Sequence, residues 1–416
     1  IIMGGTFTFY PKKYKLKFMT EVFQALNDFS AMFFNNNELD LESFKSFFEL
    51  PADLDDKERT ERIHEKLLKS KKESSLKEEQ IKNETAKVRC VALVIETRPD
   101  CGLLDEGNEI LDFGGTRVEL GIQSVYNEDL EFVKRGHSVE DSIKSARILR
   151  DLGFKLSFHY MLGLTEDRKK DLEGLKEIFS NPDFMPDMVK IYPCLVMPGT
   201  ELYKRWQEGK YKPLKVEETA EMIAEAKKFI PNFVRIQRIQ RDIPHNVIAA
   251  GPIETNLRQR VQNICKKNNI HCQCIRCREP MNKEISWNNV QLKKQGYSAS
   301  QGKEIFLSFE DLKNNIILGF VRLRIPSQQL REEITKDSAI IREIHVYSPA
   351  VALGKKDISS VQHQGLGKKL LKEAERITKE EFQKNKLLVI SGVGVREYFY
   401  NLGYKRDGPY VSKILS

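Results

Sequence analysis

The stretch Ser360–Ile377, SVQHQGLGKKLLKEAERI, sets two glycines one residue apart just before a lysine-bearing helical run. Gln362, Gly365 and Gly367 fit the pattern Q-x-x-G-x-G, in which absent side chains let backbone N–H groups approach an anion and the following helix offers its positive end. A pyrophosphate suits such a turn. Glycines ahead of a helix also serve ordinary turns, so the neighbouring elements decide. Beyond Gly302 the runs IFLSFED (305–311), IILGFVRLRI (316–325) and AIIREIHVYS (339–348) read as hairpin-like strands. The glycine turn and its helix follow, then a strand LLVISGV (387–393), a helix within VREYFYNLGY (395–404) and a last strand YVSKIL (410–415). That order predicts a separate α+β domain.

Upstream, to about Val261, short apolar runs alternate with helical patterns: IIMGG, VALVIETRPD, RVELGIQS, KLSFHYMLGL, MVKIYPCLVM and FVRIQRIQRD. In SVEDSIKSARILRDLG, Ile143, Ala146 and Leu149 recur on one face and a glycine closes the helix. The repeated strand–loop–helix order predicts an α/β fold whose parallel sheet curves into a barrel or part of one. Glu96, Arg98, Gln123, His159, Tyr192 and Cys194 fall at strand ends, the edge where such sheets bind ligands. The lysine- and glutamate-rich segment Lys66–Arg89 reads as a solvated helix or mobile linker, with a nucleic-acid surface as the alternative.

The 416 residues imply two or three domains, and the 40% hydrophobic and 31% charged balance, with no long apolar run, excludes a membrane span. A net charge of +8 is compatible with a polyanionic partner. Seven cysteines, an odd number, with no signal-peptide pattern point to a reducing compartment, the cytoplasm. Cys272, Cys274 and Cys277 in HCQCIRCRE can converge on a tetrahedral zinc, with His271, Cys265 or a distant residue as fourth ligand. An iron–sulfur cluster is the rival occupant. The opening IIMGGTF reads as a strand running into a glycine turn, in a chain whose beginning is not shown.

The last domain resembles the GNAT acetyltransferases: a strand that pairs with a pantetheine arm, a Q-x-x-G-x-G turn on the pyrophosphate, and an aromatic helix beside the thioester. With IMGGTF, IETRPD, GIQSVY, RGHSVEDS, IYPCLVMPGTELY, QRDIP, REIHVYSPAV, QHQGLG and ISGVGVREYFYNLGY, the whole chain resembles the catalytic subunit of Elongator in its archaeal form. That resemblance implies a radical S-adenosylmethionine domain joined to an acetyltransferase, placing a carboxymethyl-type group on carbon five of the wobble uridine of tRNA. It implies a partial parallel barrel over 1–261, a zinc-binding linker over 262–300 and a GNAT domain over 301–416.

Under this resemblance Glu343, Ile344, His345, Val346, Gln364, Gly365, Leu366, Gly367, Lys368 and Phe399 meet acetyl-coenzyme A, and Tyr398 is catalytic. Gly4, Gly5, Thr6, Glu96, Arg98 and Gln123 meet S-adenosylmethionine. Arg235, Arg238, Arg241, Arg258 and Arg260 are expected on tRNA phosphates. Further Elongator subunits or a second copy are the expected protein partners. Two departures qualify the expectation. The cysteines of the family's [4Fe-4S] cluster lie upstream of IMGGTF, so the chain as given is expected not to perform the radical step. Where relatives carry two adjacent tyrosines, this chain has Tyr398 and Phe399. A protein lysine acetyltransferase, or a scaffold holding tRNA and acetyl-coenzyme A without turnover, are the competing readings.

Overall fold

Five apolar runs, each leading into a turn and a helix, pair in chain order as a wholly parallel sheet. They are β1 (Val94–Thr97), β2 (Arg117–Gln123), β3 (Lys155–Leu162), β4 (Met188–Pro193) and β5 (Arg235–Ile239). Parallel neighbours need a crossover, and helices such as Leu104–Asp112, Val139–Asp151, Arg168–Ser180 and Val216–Ala226 supply it. Ser138 starts the second of these with a capping box to Asp141, and Ala146 and Leu149 lie fully buried on its inner face. The computed structural model describes residues 1–36, 38–53, 55–240, 243–254, 256–281, 283–347 and 365–415.

Two expectations are corrected here. The opening run is not a strand: Ile2 makes a single parallel bridge to Ile95, because Gly4 and Gly5 turn the chain away at φ 97° and 64°. Nor is Lys66–Arg89 a solvated linker throughout. A second helix, Leu76–Asn83, opens with a Ser75–Glu78 capping box and buries Glu79, Gln80 and Asn83 against helix Lys12–Phe33, where Asn27 bonds both Glu79 and Asn83.

The second sheet has seven strands: β6 (Val290–Ala299), β7 (Gly302–Asp311), β8 (Ile316–Ile325), β9 (Ser338–Val346), β10 (Lys386–Val389), β11 (Lys405–Asp407) and β12 (Tyr410–Ile414). Their spatial order is β11-β12-β10-β9-β8-β7-β6, antiparallel except for β9 beside β10. Helix Leu366–Arg376 covers one face, setting Leu370, Leu371 and Ala374 in a core with Ile305, Val321, Leu323, Ile341 and Val389. The other face, through Phe306, Ile317, Phe320 and Ile340, shares one continuous core with the parallel sheet.

Between the sheets lies a layer of buried charge. Arg342 forks onto Asp187 through two 2.7 Å bonds and reaches Glu304 at 2.8 Å and the Phe154 carbonyl at 2.8 Å. Arg322 holds Glu343 at 2.9 Å and the Phe233 carbonyl at 2.7 Å, while Arg324 ties Asp151 to Glu304, each at 2.8 Å. Arg342 is the extra residue of a β-bulge opposite Arg322 and Leu323, which lets both Arg342 and Glu343 face the parallel sheet. Asp151, Phe154, Asp187 and Phe233 all stand just before β3, β4 or β5. The second sheet therefore docks under the strands' N-terminal ends and leaves their C-terminal ends free. No helix among the described residues is long and apolar enough to cross a membrane.

Asp171, on the helix after β3, has burial without a cation in direct contact: its carboxyl accepts the Gly163 N–H at 2.8 Å, and burial pushes its pKa up to about 7. A carboxyl raised in the folded state opposes folding increasingly as pH climbs from its unfolded value toward 7. Asp171→Asn is therefore expected to stabilise the chain at pH 8 by on the order of 2–4 kcal/mol and hardly at all near pH 4, as measured by denaturant midpoints at both pH values.

Candidate functional site

The free ends of β1–β5 open on a cavity of about 1180 Å³. Gly4, Gly5, Thr6, Glu96, Arg98 and Gln123, scattered over the first third of the sequence, all line it. Behind them runs a chain of buried charge. His159 bonds Glu96 through Nδ1 at 3.3 Å and Glu119 through Nε2 at 3.0 Å, Lys190 closes on the same Glu119 oxygen, and Arg117 lies 3.1 Å from the other. Burial alone would raise the Glu119 carboxyl, but His159 and Lys190 hold it at about 2, so it is an anion at neutral pH. Arg98 is oriented by a fork onto Asp100. Gln123 holds a left-handed backbone at φ 63°, strain of about 1 kcal/mol or more that puts its amide on the cavity wall.

Sequence reasoning missed Arg135. Its guanidinium lines the same cavity with no carboxylate partner among the described residues: Nη2 reaches the Gly121 carbonyl at 3.5 Å, and the buried Nε has no acceptor. Gly121 makes room for it, since a Cβ there would sit 2.7 Å from Arg135 Nη2 and 2.8 Å from Gln123 Nε2. The available signal was an arginine in RGHSVEDS, a stretch already quoted for other reasons. Cys194 also lines the cavity, but burial pushes its thiol up to about 11, which leaves it protonated.

In the second sheet, β9 pairs with β10 only as far as Ile341 opposite Val389. Beyond it, Glu343–Val346 pair with β8 on one side and, among the described residues, with no strand on the other. Gly365 caps the following helix at φ 68°, a left-handed turn that suits glycine, and Leu366–Lys368 form the helix's first turn. A Cβ at Gly367 would lie 3.2 Å from the Tyr398 hydroxyl and 3.6 Å from a Val346 methyl, so strand, helix end and phenol meet at one place. Burial raises the Tyr398 pKa, keeping it a proton donor. Phe399 faces the core, 2% exposed, with its ring 5.8 Å from Tyr404. Gln362 and Gln364 lie outside the described residues.

Cys272, Cys274 and Cys277 bring their sulfurs within 4.8 Å of one another, the only such group of metal-ligating side chains among the described residues. Three thiols on so tight a triangle suit a soft tetrahedral cation. Buried Lys227 stands 3.5 Å from Cys277 Sγ; burial opposes its charge, but the surrounding thiols raise its pKa. His271 is exposed and bonded to Asn269 at 2.9 Å, outside the group, and Cys265 is outside it too.

Comparison with known proteins gives these features a family. Residues 53–177 match the Radical SAM superfamily and 186–267 the Radical_SAM C-terminal domain. The tRNA uridine(34) acetyltransferase of Methanocaldococcus jannaschii is 52% identical over 82% of this chain and 65% of its own length. Elongator complex protein 3 of Saccharomyces cerevisiae is 36% identical over 99% of the chain and 68% of its own. A solved structure, Methanocaldococcus infernus Elp3 with an N-terminus deletion, superposes with a TM-score of 0.85 at 45% identity, covering 100% of this chain and 89% of that one. The chain belongs to the family of tRNA uridine(34) acetyltransferases and Elongator complex protein 3. It spans about 65% of the length of the archaeal relative just named.

Within this family member the five expected phosphate arginines do not form one free basic surface. Arg235 is paired with Glu279 at 2.7 Å, Arg260 with Glu254 and Glu217 at 2.8 and 2.9 Å, and Arg258 donates to the Gln237 carbonyl at 3.1 Å. Arg238 lines the cavity, and Arg241 lies outside the described residues. Loading the chain with cobalt(II) is expected to give thiolate-to-metal charge-transfer bands in the near ultraviolet. Cys274→Ser, which removes the most buried of the three sulfurs, is expected to abolish them while leaving the far-ultraviolet circular dichroism in place.

Proposed function

We propose that this chain is a cytoplasmic tRNA-modifying acyltransferase. It takes acetyl-coenzyme A on the second sheet and S-adenosylmethionine with the wobble uridine in the parallel-sheet cavity, to place a carboxymethyl-type group on carbon five of the base. What carries the reading is the meeting of Val346, Gly367 and the Tyr398 hydroxyl at the end of β9, beyond its pairing with β10. A strand edge with unpaired amides suits a pantetheine arm, and the N–H groups of Leu366, Gly367 and Lys368 suit its pyrophosphate. Gln364 and Gly365 complete that turn in the proposal, Glu343, Ile344 and His345 extend the strand, and Phe399 backs Tyr398 from the core.

Acyl transfer expels a thiolate, and Tyr398 is the group placed to hydrogen-bond or protonate it. In the cavity, Gly4, Gly5 and Thr6 leave backbone groups open to the methionine end of S-adenosylmethionine, Arg135 offers its guanidinium to the carboxylate, and Glu96, Arg98 and Gln123 take the remaining polar atoms. The Radical SAM superfamily implies S-adenosylmethionine with an iron–sulfur cluster as the source of radical chemistry. Among the described residues the cavity carries a single thiol, Cys194, and no set of three to hold such a cluster. Cys272, Cys274 and Cys277 are proposed to hold a structural zinc.

In functional terms 1–261 is the Radical SAM part, 262–300 the zinc linker, whose end enters the second sheet as β6, and 301–416 the acetyltransferase. The partners are tRNA, met in part by Arg238 at the cavity, and further Elongator subunits or a second copy of the chain. Arg235, Arg241, Arg258 and Arg260 serve as secondary phosphate contacts in the proposal, for which Arg235, Arg258 and Arg260 exchange internal partners.

The test is release of free coenzyme A with tRNA, with a lysine peptide and with neither. Release that depends on tRNA is expected; peptide acetylation without tRNA would overturn the proposal. Tyr398→Phe should lower tRNA-dependent release about 100-fold while leaving acetyl-coenzyme A binding by calorimetry unchanged.

A further inference from the structure

At the lip of the cavity, the turn leading into helix Lys12–Phe33 and the start of that helix carry aromatic rings turned to solvent. Phe9 is 81% exposed, Tyr10 47% and Tyr14 50%. They are ordered: Tyr10, in the turn before the helix, and Tyr14, in its first turn, hold ring centroids 5.1 Å from each other, and Tyr14 stacks at 6.3 Å on Phe18, which is anchored on buried Phe7. The ladder adjoins the cavity directly, because a Cβ on the lip residue Gly5 would lie 3.8 Å from the Tyr10 hydroxyl. Three lysines, Lys12, Lys13 and Lys17, are interleaved with the rings and are exposed too.

From the same helix a groove of about 1100 Å³ runs between Lys13 and Lys17, the segment Lys71–Lys77, Arg331 in the loop between β8 and β9, and Arg406 of β11. Eight lysines and arginines line it against three carboxylates. Lys13 and Lys77 have no acidic partner among the described residues, and the groove's buried Arg396 leaves its Nε without an acceptor.

An exposed aromatic face by itself would suit many occupants. Lysine is depleted from the cores of protein–protein contacts, whereas rings alternating with cations are what unpaired nucleotides require: a stacking surface for bases and a track for phosphates. We propose that Tyr10 and Tyr14, with Phe9 at their edge, form a stacking platform for unpaired RNA bases next to the nucleotide that enters the cavity. Lys13, Lys17 and the Lys71–Lys77 groove carry the adjoining phosphates. This rests on the RNA half of the function proposed above and adds how the strand is held open at the mouth. The platform reads single-stranded character, since paired bases present no free faces to the rings.

The probe is a short RNA stem-loop carrying 2-aminopurine beside a loop uridine, with a fully paired duplex as control, titrated against the full chain and against Tyr10→Ala, Tyr14→Ala, Lys13→Ala and Lys77→Ala. All four positions are exposed, and unchanged melting temperatures verify the fold. The parent chain is expected to quench 2-aminopurine. Each tyrosine variant should lose most of that quenching and about tenfold in affinity for the loop, with no change for the duplex. Each lysine variant should keep the quenching and lower the slope of log affinity against log salt by about 1. Equal loop affinity and quenching in parent and tyrosine variants overturns the platform and assigns the rings to a protein contact. No stem-loop binding by a parent chain that still takes up acetyl-coenzyme A overturns the RNA reading itself.

Discussion

The fork of Arg342 onto Asp187 is the contact on which the rest of the architecture depends. Both side chains are fully buried, Arg342 on β9 of the second sheet and Asp187 just before β4 of the parallel sheet. A buried ion pair need not stabilise a fold more than apolar residues of the same shape, but one stripped of its partner is destabilising by about 3–5 kcal/mol. The layer of Arg322, Arg324 and Arg342 against Asp151, Asp187, Glu304 and Glu343 is therefore satisfied in one docking geometry and penalised in others. Asp187 is held far below the ordinary carboxylate range by Arg342 and Arg322 in spite of burial. Its contribution is thus present above about pH 4 and lost only on strong acidification.

That geometry places both proposed binding regions. The second sheet sits under the N-terminal ends of the parallel strands, so their C-terminal ends stay free and become the cavity. The bulge that turns Arg342 toward Asp187 falls one residue past the point where β9 leaves β10. The residue that fastens the two halves is thereby next to the open strand edge proposed to receive acetyl-coenzyme A. In the proposal, docking and ligand site adjoin along one run, Arg342–Val346: the side chains of Arg342 and Glu343 serve the interface, and the backbone of Glu343–Val346 is left to the ligand.

Much of this was legible in the sequence. The alternation of apolar runs with helical patterns gave five parallel strands in order, and the resemblance that drew attention to Gly367 and Tyr398 named two residues that meet in space. Cys272, Cys274 and Cys277 are close enough in sequence for their convergence to be expected, while their occupant and a fourth ligand stayed open. What stayed hidden has physical causes. Strand β6 is an edge strand with Lys293, Lys294 and Gln295 along it, so it lacks the apolar alternation that marks a strand. The buried arginines read as surface charge until their carboxylate partners, more than a hundred residues away, are brought to them. Arg135 carries no periodicity at all, and only the cavity shows that it lacks a partner. Conversely, Arg235 and Arg260 looked available because sequence does not display Glu279 and Glu254 beside them.

If the ionic layer makes the two sheets one cooperative body, they must unfold together. The chain has two tryptophans, Trp206 in the helix after β4 and Trp287 just before β6, one for each half. Following denaturant unfolding by fluorescence in two variants that each retain one tryptophan measures the halves separately. Coincident midpoints and slopes are the result this account predicts, and two separated transitions would contradict it.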